Sequence, residues 1–387
     1  MNKISLFFLI QIGLVALLSN AMGQSNPYTV TVNISGRIDT TEKNTRDIYY
    51  LFKNYLESRP DSLYDNPYWN NKEKRERQSG NPAIFYTPLY EYNISPKRIF
   101  NTWKPFILSI EKLELNKYKI RVALIKDEAE PDKILTILNL NAIRDNGNWV
   151  LENTFHDIVK SWESVNYKYI NYVYPKSHSF NQILAQKSID FCDSIKKVLD
   201  IKLNDTFSFY LSDNPDEMGL LFGYEFYYLN YTTGLTTKWL NQIFSAKGNE
   251  FYPHEFMHII LKGIGNDSRN YLIEEGLACF LGEFNTPRYK SRISKLSKDY
   301  LVNKPTYDLE SLVLNKAENN GYQSAYPTGS IIAEIIYESR GYSGIIELCK
   351  ADTRKSEDIL RIIYKITGLN KKGLVKKFRE KLILYGS

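Results

Sequence analysis

Hydrophobic and polar positions change rhythm several times along the chain. An apolar run, 4–18, follows the single charge of Lys3 and gives way to small residues, Ala21 and Gly23. Alternation with period two over 28–38 predicts a half-buried strand, and the helical spacing of Ile48, Leu51, Phe52 and Leu56 predicts a helix over 41–56. The stretch 58–105, rich in Pro, Asn and charge, reads mostly as loop. Strand patterns follow at 106–115, 118–126, 133–141 and 149–153. Asn116-Lys117 and Asn146-Gly147 between them suit tight hairpins, because such positions tolerate positive φ at low cost. The alternation of 166–175 predicts one further strand carrying a row of tyrosines, and 180–199 a helix.

Past residue 175 the composition shifts. Short strands are expected at 207–211 and 242–246, then helices at 253–261, 271–284, 329–339, 343–350, 356–367 and 371–384. The fold class is therefore α+β, with an N-terminal helix and curved antiparallel sheet and a mainly helical C-terminal part with a small sheet. In element order the N-terminal part resembles a nuclear-transport-factor-like domain, in which helix and sheet enclose a cone-shaped pocket. The division expected is 1–23, 24–175 and 176–387.

The first segment matches a secretory signal peptide cleaved near Gly23. Its apolar run is shorter than the roughly 20 residues that a membrane span needs, and no cysteine follows it for lipid attachment. No later segment is long and apolar enough to span a bilayer. The mature chain is thus expected to be secreted or periplasmic, with no stable membrane span after cleavage.

The 387 residues carry 50 Lys+Arg against 44 Asp+Glu, a net charge of +6. The charge is dispersed, and the densest run, 72–77, mixes acids with bases, so it reads as a solvated loop. No nucleic-acid surface is implied. Cys192, Cys279 and Cys349 are too few for a disulfide framework and read as buried thiols.

Of only four histidines, two stand in His254-Glu255-Phe256-Met257-His258. This HExxH spacing has a helical logic. Four residues advance about 400°, so both imidazoles leave one face and can take two corners of a tetrahedron around Zn²⁺. Glu255, rotated by about 100°, flanks the metal and can take a proton from its water. Pro253 confines the first ligand to the first helical turn, with Asn249 or Tyr252 near the N-cap. A third ligand is needed, and Glu274 and Glu275 both lie downstream, after an interval that lets the first helix end near Gly263 or Gly265 and a second helix cross back. His156 and His178 read as surface or capping residues.

HExxH followed by Glu275-Gly276-Leu277-Ala278 resembles the gluzincin metallopeptidases, in particular the secreted bacterial group called peptidase MA-like. The resemblance covers about 180–384. It implies Glu275 as the third zinc ligand, with Glu274 the alternative, and close packing of Gly276 and Ala278 against the HExxH helix. By the same resemblance, 242–246 occupies the place of the edge strand along which substrates pair. Tyr326, in Tyr326-Pro327-Thr328-Gly329-Ser330 at the opening of a helix that ends at Gly341, takes the place of an oxyanion donor, with Tyr322 the alternative. Zinc aminopeptidases of this clan carry a Gly-x-Met-Glu-Asn segment that is lacking here, so an exopeptidase needing a free amine is disfavoured.

The expectation is a secreted zinc metallopeptidase that hydrolyses peptide or protein substrates through a metal-bound water. Its metal is held by His254, His258 and Glu275, with Glu255 and Tyr326 catalytic. The alternative is a catalytically silent, peptidase-like binding or assembly protein for a peptide or glycan.

Overall fold

The computed structural model describes residues 29–58, 66–77, 102–126, 133–202, 206–228, 232–265, 269–302, 308–314 and 321–386. The segment 1–23, expected to be a signal peptide, lies outside them. The class is α+β, with two mixed sheets. Two compact units divide the described residues: Met1–Ile158 with Gly219–Tyr231, and Val159–Met218 with Thr232–Ser387.

The first unit contains β1 (Asn33–Ile34), α1 (Lys43–Glu57), α2 (Asn71–Arg77), β2 (Lys104–Glu114), β3 (Lys117–Ile125), β4 (Ile134–Asp145) and β5 (Asn148–Asn153). The strands β2 to β5 form an antiparallel meander, and the turn before β5 uses Asn146 and Gly147 at φ 50° and 84°. Later in the sequence the chain returns to add β9 (Tyr224–Tyr227) antiparallel to β4. Apolar residues of α1, among them Ile48, Phe52 and Tyr55, are buried, as are the inward positions Ile107, Ile120, Val122 and Leu140 of the sheet.

Two expectations change in this unit. The strand expected over 28–38 shrinks to Asn33–Ile34, since the backbone turns directly afterwards, with Ile38 N donating to Ser35 O. The charged run 72–77 is helical, not loop. Its Glu73 is buried and accepts from Trp69 Nε1 at 2.7 Å and from the backbone of Asn153 at 3.1 Å.

The second unit holds β6 (Glu163–Tyr167), β7 (Ile170–Tyr174), α4 (Gln182–Val198), β8 (Phe207–Leu211), β10 (Gly234–Thr237) and β11 (Gln242–Ser245). Two short helices, α3 (Phe155–Val159) and α5 (Pro215–Leu221), stand where the chain passes between units. The helical layer follows as α6 (Pro253–Lys262), α7 (Tyr271–Glu283), α8 (Pro287–Val302), α9 (Leu309–Val313), α10 (Gly321–Lys350), α11 (Ser356–Thr367) and α12 (Lys371–Gly386). The sheet order is β10-β11-β8-β7-β6, parallel through β11, β8 and β7 and antiparallel at both edges.

The strand expected over 166–175 is a hairpin instead, because Lys168 adopts φ 53° and lets Tyr167 pair with Ile170. Since β7 then pairs with β8, the hairpin belongs to the second unit, and the break falls after Ile158 and not at 175. The two helices expected over 329–339 and 343–350 form one element bent at Gly341, whose φ of 59° breaks the helical path. Pro327 lies inside that element, so the helix opens well before Tyr326.

Candidate metal centre

Helices α6, α7 and α10 and strand β10 of the second unit meet at this site. Helix α6 is capped at Tyr252 with Pro253 in its first turn, and every residue from His254 to Leu261 is buried. It stops at Gly263, and Gly265 follows at φ 73°, where a Cβ would stand 2.4 Å from Cys349 O. Asn270 then starts α7 by accepting from Leu272 N, which brings Glu274 and Glu275 back beside the first helix.

The close packing of α7 differs from the expectation. A Cβ on Gly276 would lie 2.3 Å from the backbone of Gly329, so that glycine serves the crossing of α7 with α10 and not the contact with the HExxH helix. Gly282 fills the latter role, with its would-be Cβ 3.0 Å from Pro253 C and His254 N.

The structure brings His254, His258 and Glu275 together. One potential ligand atom from each lies within 4.8 Å of the others. Glu275 Oε2 stands 3.2 Å from His254 Nε2 and 3.6 Å from His258 Nε2. Two imidazole Nε2 atoms and a carboxylate oxygen facing one point form a donor set suited to a divalent cation. Their other ring nitrogens point outward. His258 Nδ1 lies 3.1 Å from Glu274 Oε1, and His254 Nδ1 lies 3.9 Å from Glu283 Oε1. The carboxylate within hydrogen-bond reach of His258 Nδ1 fixes the tautomer that leaves Nε2 for a metal. Glu274, the alternative third ligand, is thereby placed behind His258.

Cations hold those outer carboxylates. Arg269, with 1% of its side chain exposed, donates Nε to Glu274 Oε2 at 2.7 Å. Its other nitrogens donate to Leu261 O and Ile264 O at the end of α6. Lys238 also pairs with Glu274. Burial raises the Glu274 carboxyl, but His258, Lys238 and Arg269 outweigh it and hold the group well below the usual carboxylate range. Burial lowers the His258 imidazole, yet Glu275 and then Glu274 overcome it and push His258 up to about 9. Arg292 donates to Glu283 Oε2 at 2.5 Å and to Cys279 Sγ at 2.8 Å.

Glu255 faces the edge of the sheet. Thr236 Oγ1 on β10 donates to Glu255 Oε2 at 2.7 Å. At Gly234 a Cβ would come within 2.4 Å of Glu255 Oε1, so the absence of a side chain there makes room for the carboxylate. The edge strand is therefore β10, while 242–246, expected at the edge, lies between β10 and β8. Among the described residues the outer side of β10 has no strand partner.

The Tyr326 ring stacks on His254 with centroids 5.9 Å apart, and its hydroxyl accepts from Tyr271 at 3.0 Å. Burial first, and Glu275 second, drive its phenol pKa upward, so it keeps its proton. The side chain of Tyr322 is outside the described residues. His156 lies elsewhere, ring to ring with Phe155. His178 is not a surface residue, since it is nearly buried with Nε2 2.8 Å from Glu250 Oε1.

All three cysteines are free and buried. Cys279 is more than filler, because its Sγ lies 3.8 Å from His254 Nδ1. The group His254, Cys279 and Glu283 also brings ligand atoms together. It is the poorer cation site: burial holds the thiol pKa well above its ordinary value, and Arg292 already occupies both partners.

Sequence reasoning missed Thr236, Arg269, Glu283 and Arg292. Only Arg269 carried a signal, standing one residue before the Asn270 cap of the Glu275 helix. No protein-family model matches the chain, and no curated protein matches it.

Proposed function

We propose that the chain is a secreted zinc metallopeptidase of gluzincin type that cuts peptide bonds with water. The observation that supports it most is the convergence of two Nε2 atoms on Glu275 Oε2, with the anchored carboxylate of Glu255 on the same helix. His254, His258 and Glu275 would hold Zn²⁺. Bound there, the ion supplies Lewis acidity and lowers the pKa of a coordinated water toward neutrality.

The remaining steps belong to the chain's own groups. Glu255, oriented by Thr236, accepts a proton from the attacking water and passes it to the departing amine. Tyr326 keeps its proton beside His254 and offers it as a hydrogen bond to the oxyanion. The open side of β10 receives the substrate backbone as an added strand, which orients the carbonyl. Secretion rests on the signal-like segment 1–23. Among the described residues no helix is long and apolar enough to cross a membrane.

The test combines metal analysis with peptide cleavage. One zinc per chain is expected, together with cleavage abolished by chelation and reduced roughly 10²–10⁴-fold by Glu255→Gln. Full zinc occupancy without cleavage of any peptide would replace this reading with the silent binding protein.

A further inference from the structure

Cations gather at one end of the edge strand. Lys247, two residues past β11, places its Nζ 3.6 Å from the centroid of the Tyr252 ring. The Arg288 guanidinium lies 5.9 Å from the same centroid and donates to Tyr252 Oη at 3.3 Å. Arg292 is one helical turn further along α8, over the ring of Tyr326 at 4.7 Å. This corner adjoins the reacting groups. A Cβ on Gly234 would meet Tyr252 Cε1 at 2.6 Å and Glu255 Oε1 at 2.4 Å, so ring and carboxylate lie side by side against the start of β10.

The charges there do not balance. Glu283 is shared by Arg288 at 3.5 Å and Arg292 at 2.5 Å. Lys247, half-buried, has no carboxylate partner among the described residues; Glu283 and Glu255 reach it only at longer range. Burial, and then the neighbouring Arg288, hold the Lys247 ammonium down to about 8, so it still carries its charge at neutral pH. A half-buried ammonium without a counter-ion calls for an anion from outside, and the place for one is beside a peptide laid on β10.

We propose that Lys247 and Arg288 form an anion subsite next to Glu255, which selects peptides bearing an acidic side chain close to the bond that is cut. The inference rests on the peptidase reading but can fail separately from it. The Tyr252 ring is itself buried, with Arg288 held at its Oη and Lys247 over its face, and both cations are partly exposed, so a carboxylate arriving from solvent over the ring meets them together.

Fluorescent decapeptides of Ala, Gly and Phe, each with one position set to Glu or to its neutral isostere Gln, test this on the full zinc-loaded chain. Anisotropy reads binding and mass spectrometry reads cleavage. At one position Glu is expected to bind at least about ten-fold tighter than Gln, with Lys247→Gln abolishing the difference and Lys247→Glu reversing it. Cleavage of both series with equal affinities at every position in the wild-type chain would overturn the subsite and leave the peptidase standing. A uniform loss across all peptides in Lys247→Gln, with the Glu to Gln ratio intact, would also overturn it. Tighter binding of Glu peptides without any cleavage would keep the subsite and remove the peptidase.

Discussion

Glu274 Oε1 lies 3.1 Å from Nδ1 of His258, on the opposite side of the ring from Glu275 Oε2, which stands 3.6 Å from Nε2. Adjacent residues of one helix thus grip one imidazole from two sides. Glu274→Ala is expected to weaken zinc binding about 10–100-fold, since nothing then fixes the ring. Glu274→Gln, whose amide oxygen still accepts from Nδ1, should retain most of the affinity. Competition against a chromophoric chelator measures both, and wild-type affinity in the alanine variant would remove the orienting role.

Thr236→Val tests the anchoring of Glu255. It deletes a hydrogen bond to a charged group, an interaction of about 1.5–3 kcal/mol, so kcat should fall roughly ten- to hundred-fold with KM little changed. A change confined to KM would place Thr236 in substrate binding instead.

The crossing of α7 and α10 leaves no room for a methyl group. A Cβ on Gly329 would stand 2.1 Å from Leu272 O and 2.8 Å from Gly276 Cα. Gly329→Ala should destabilise the chain by about 1–3 kcal/mol and weaken zinc binding, because the helix that must shift carries Glu275. Gly36→Ala, where nothing lies within 4 Å, is the control and should cost little. Denaturant titrations of both variants decide the matter.

In the first unit, Glu225 fastens β9 to its neighbours through Arg121 and, at 3.2 Å, Asn139. The hydrogen bond from Arg121 holds the Glu225 carboxyl below its ordinary value of 4.5. Stability from this link is therefore complete above pH 4.5 and is lost as pH falls through the lower folded value. Glu225→Gln should destabilise the chain at pH 7, and the gap to wild type should close on acidification. A gap that stays constant to pH 3 would mean that charge plays no part.

Local chemistry made much of the site legible. HExxH announced its own helix, Pro253 marked where that helix begins, and Asn270 with the acids behind it announced the returning one. The meander of the first unit was readable because each strand alternates and Asn146-Gly147 turns the chain. What escaped had no local signature. Gly234–Thr237 is four residues long, three of them small or hydroxylic, and becomes the edge only through its pairing with β11. The 163–174 hairpin hides its turn, since Lys168 is an ordinary residue in an uncommon conformation. Glu283 and Arg292 acquire meaning only when α7 and α8 fold against His254. Gly276 was rightly read as a close-approach residue, but sequence does not say which helix comes close.

The strand β9 has a practical bearing on how this polypeptide can be divided. It is encoded between β8 and β10, yet it hydrogen-bonds to β4, far upstream. A truncation beginning at Val159 would retain Tyr224 and Tyr227, now 2% and 6% exposed, while deleting the sheet that shelters them. Such a fragment would present bare aromatic surface and unpaired backbone, a recipe for aggregation. Neither half is therefore a contiguous module: a version of the first unit must keep both of its stretches, and a version of the second must replace 219–231 with a short bridge.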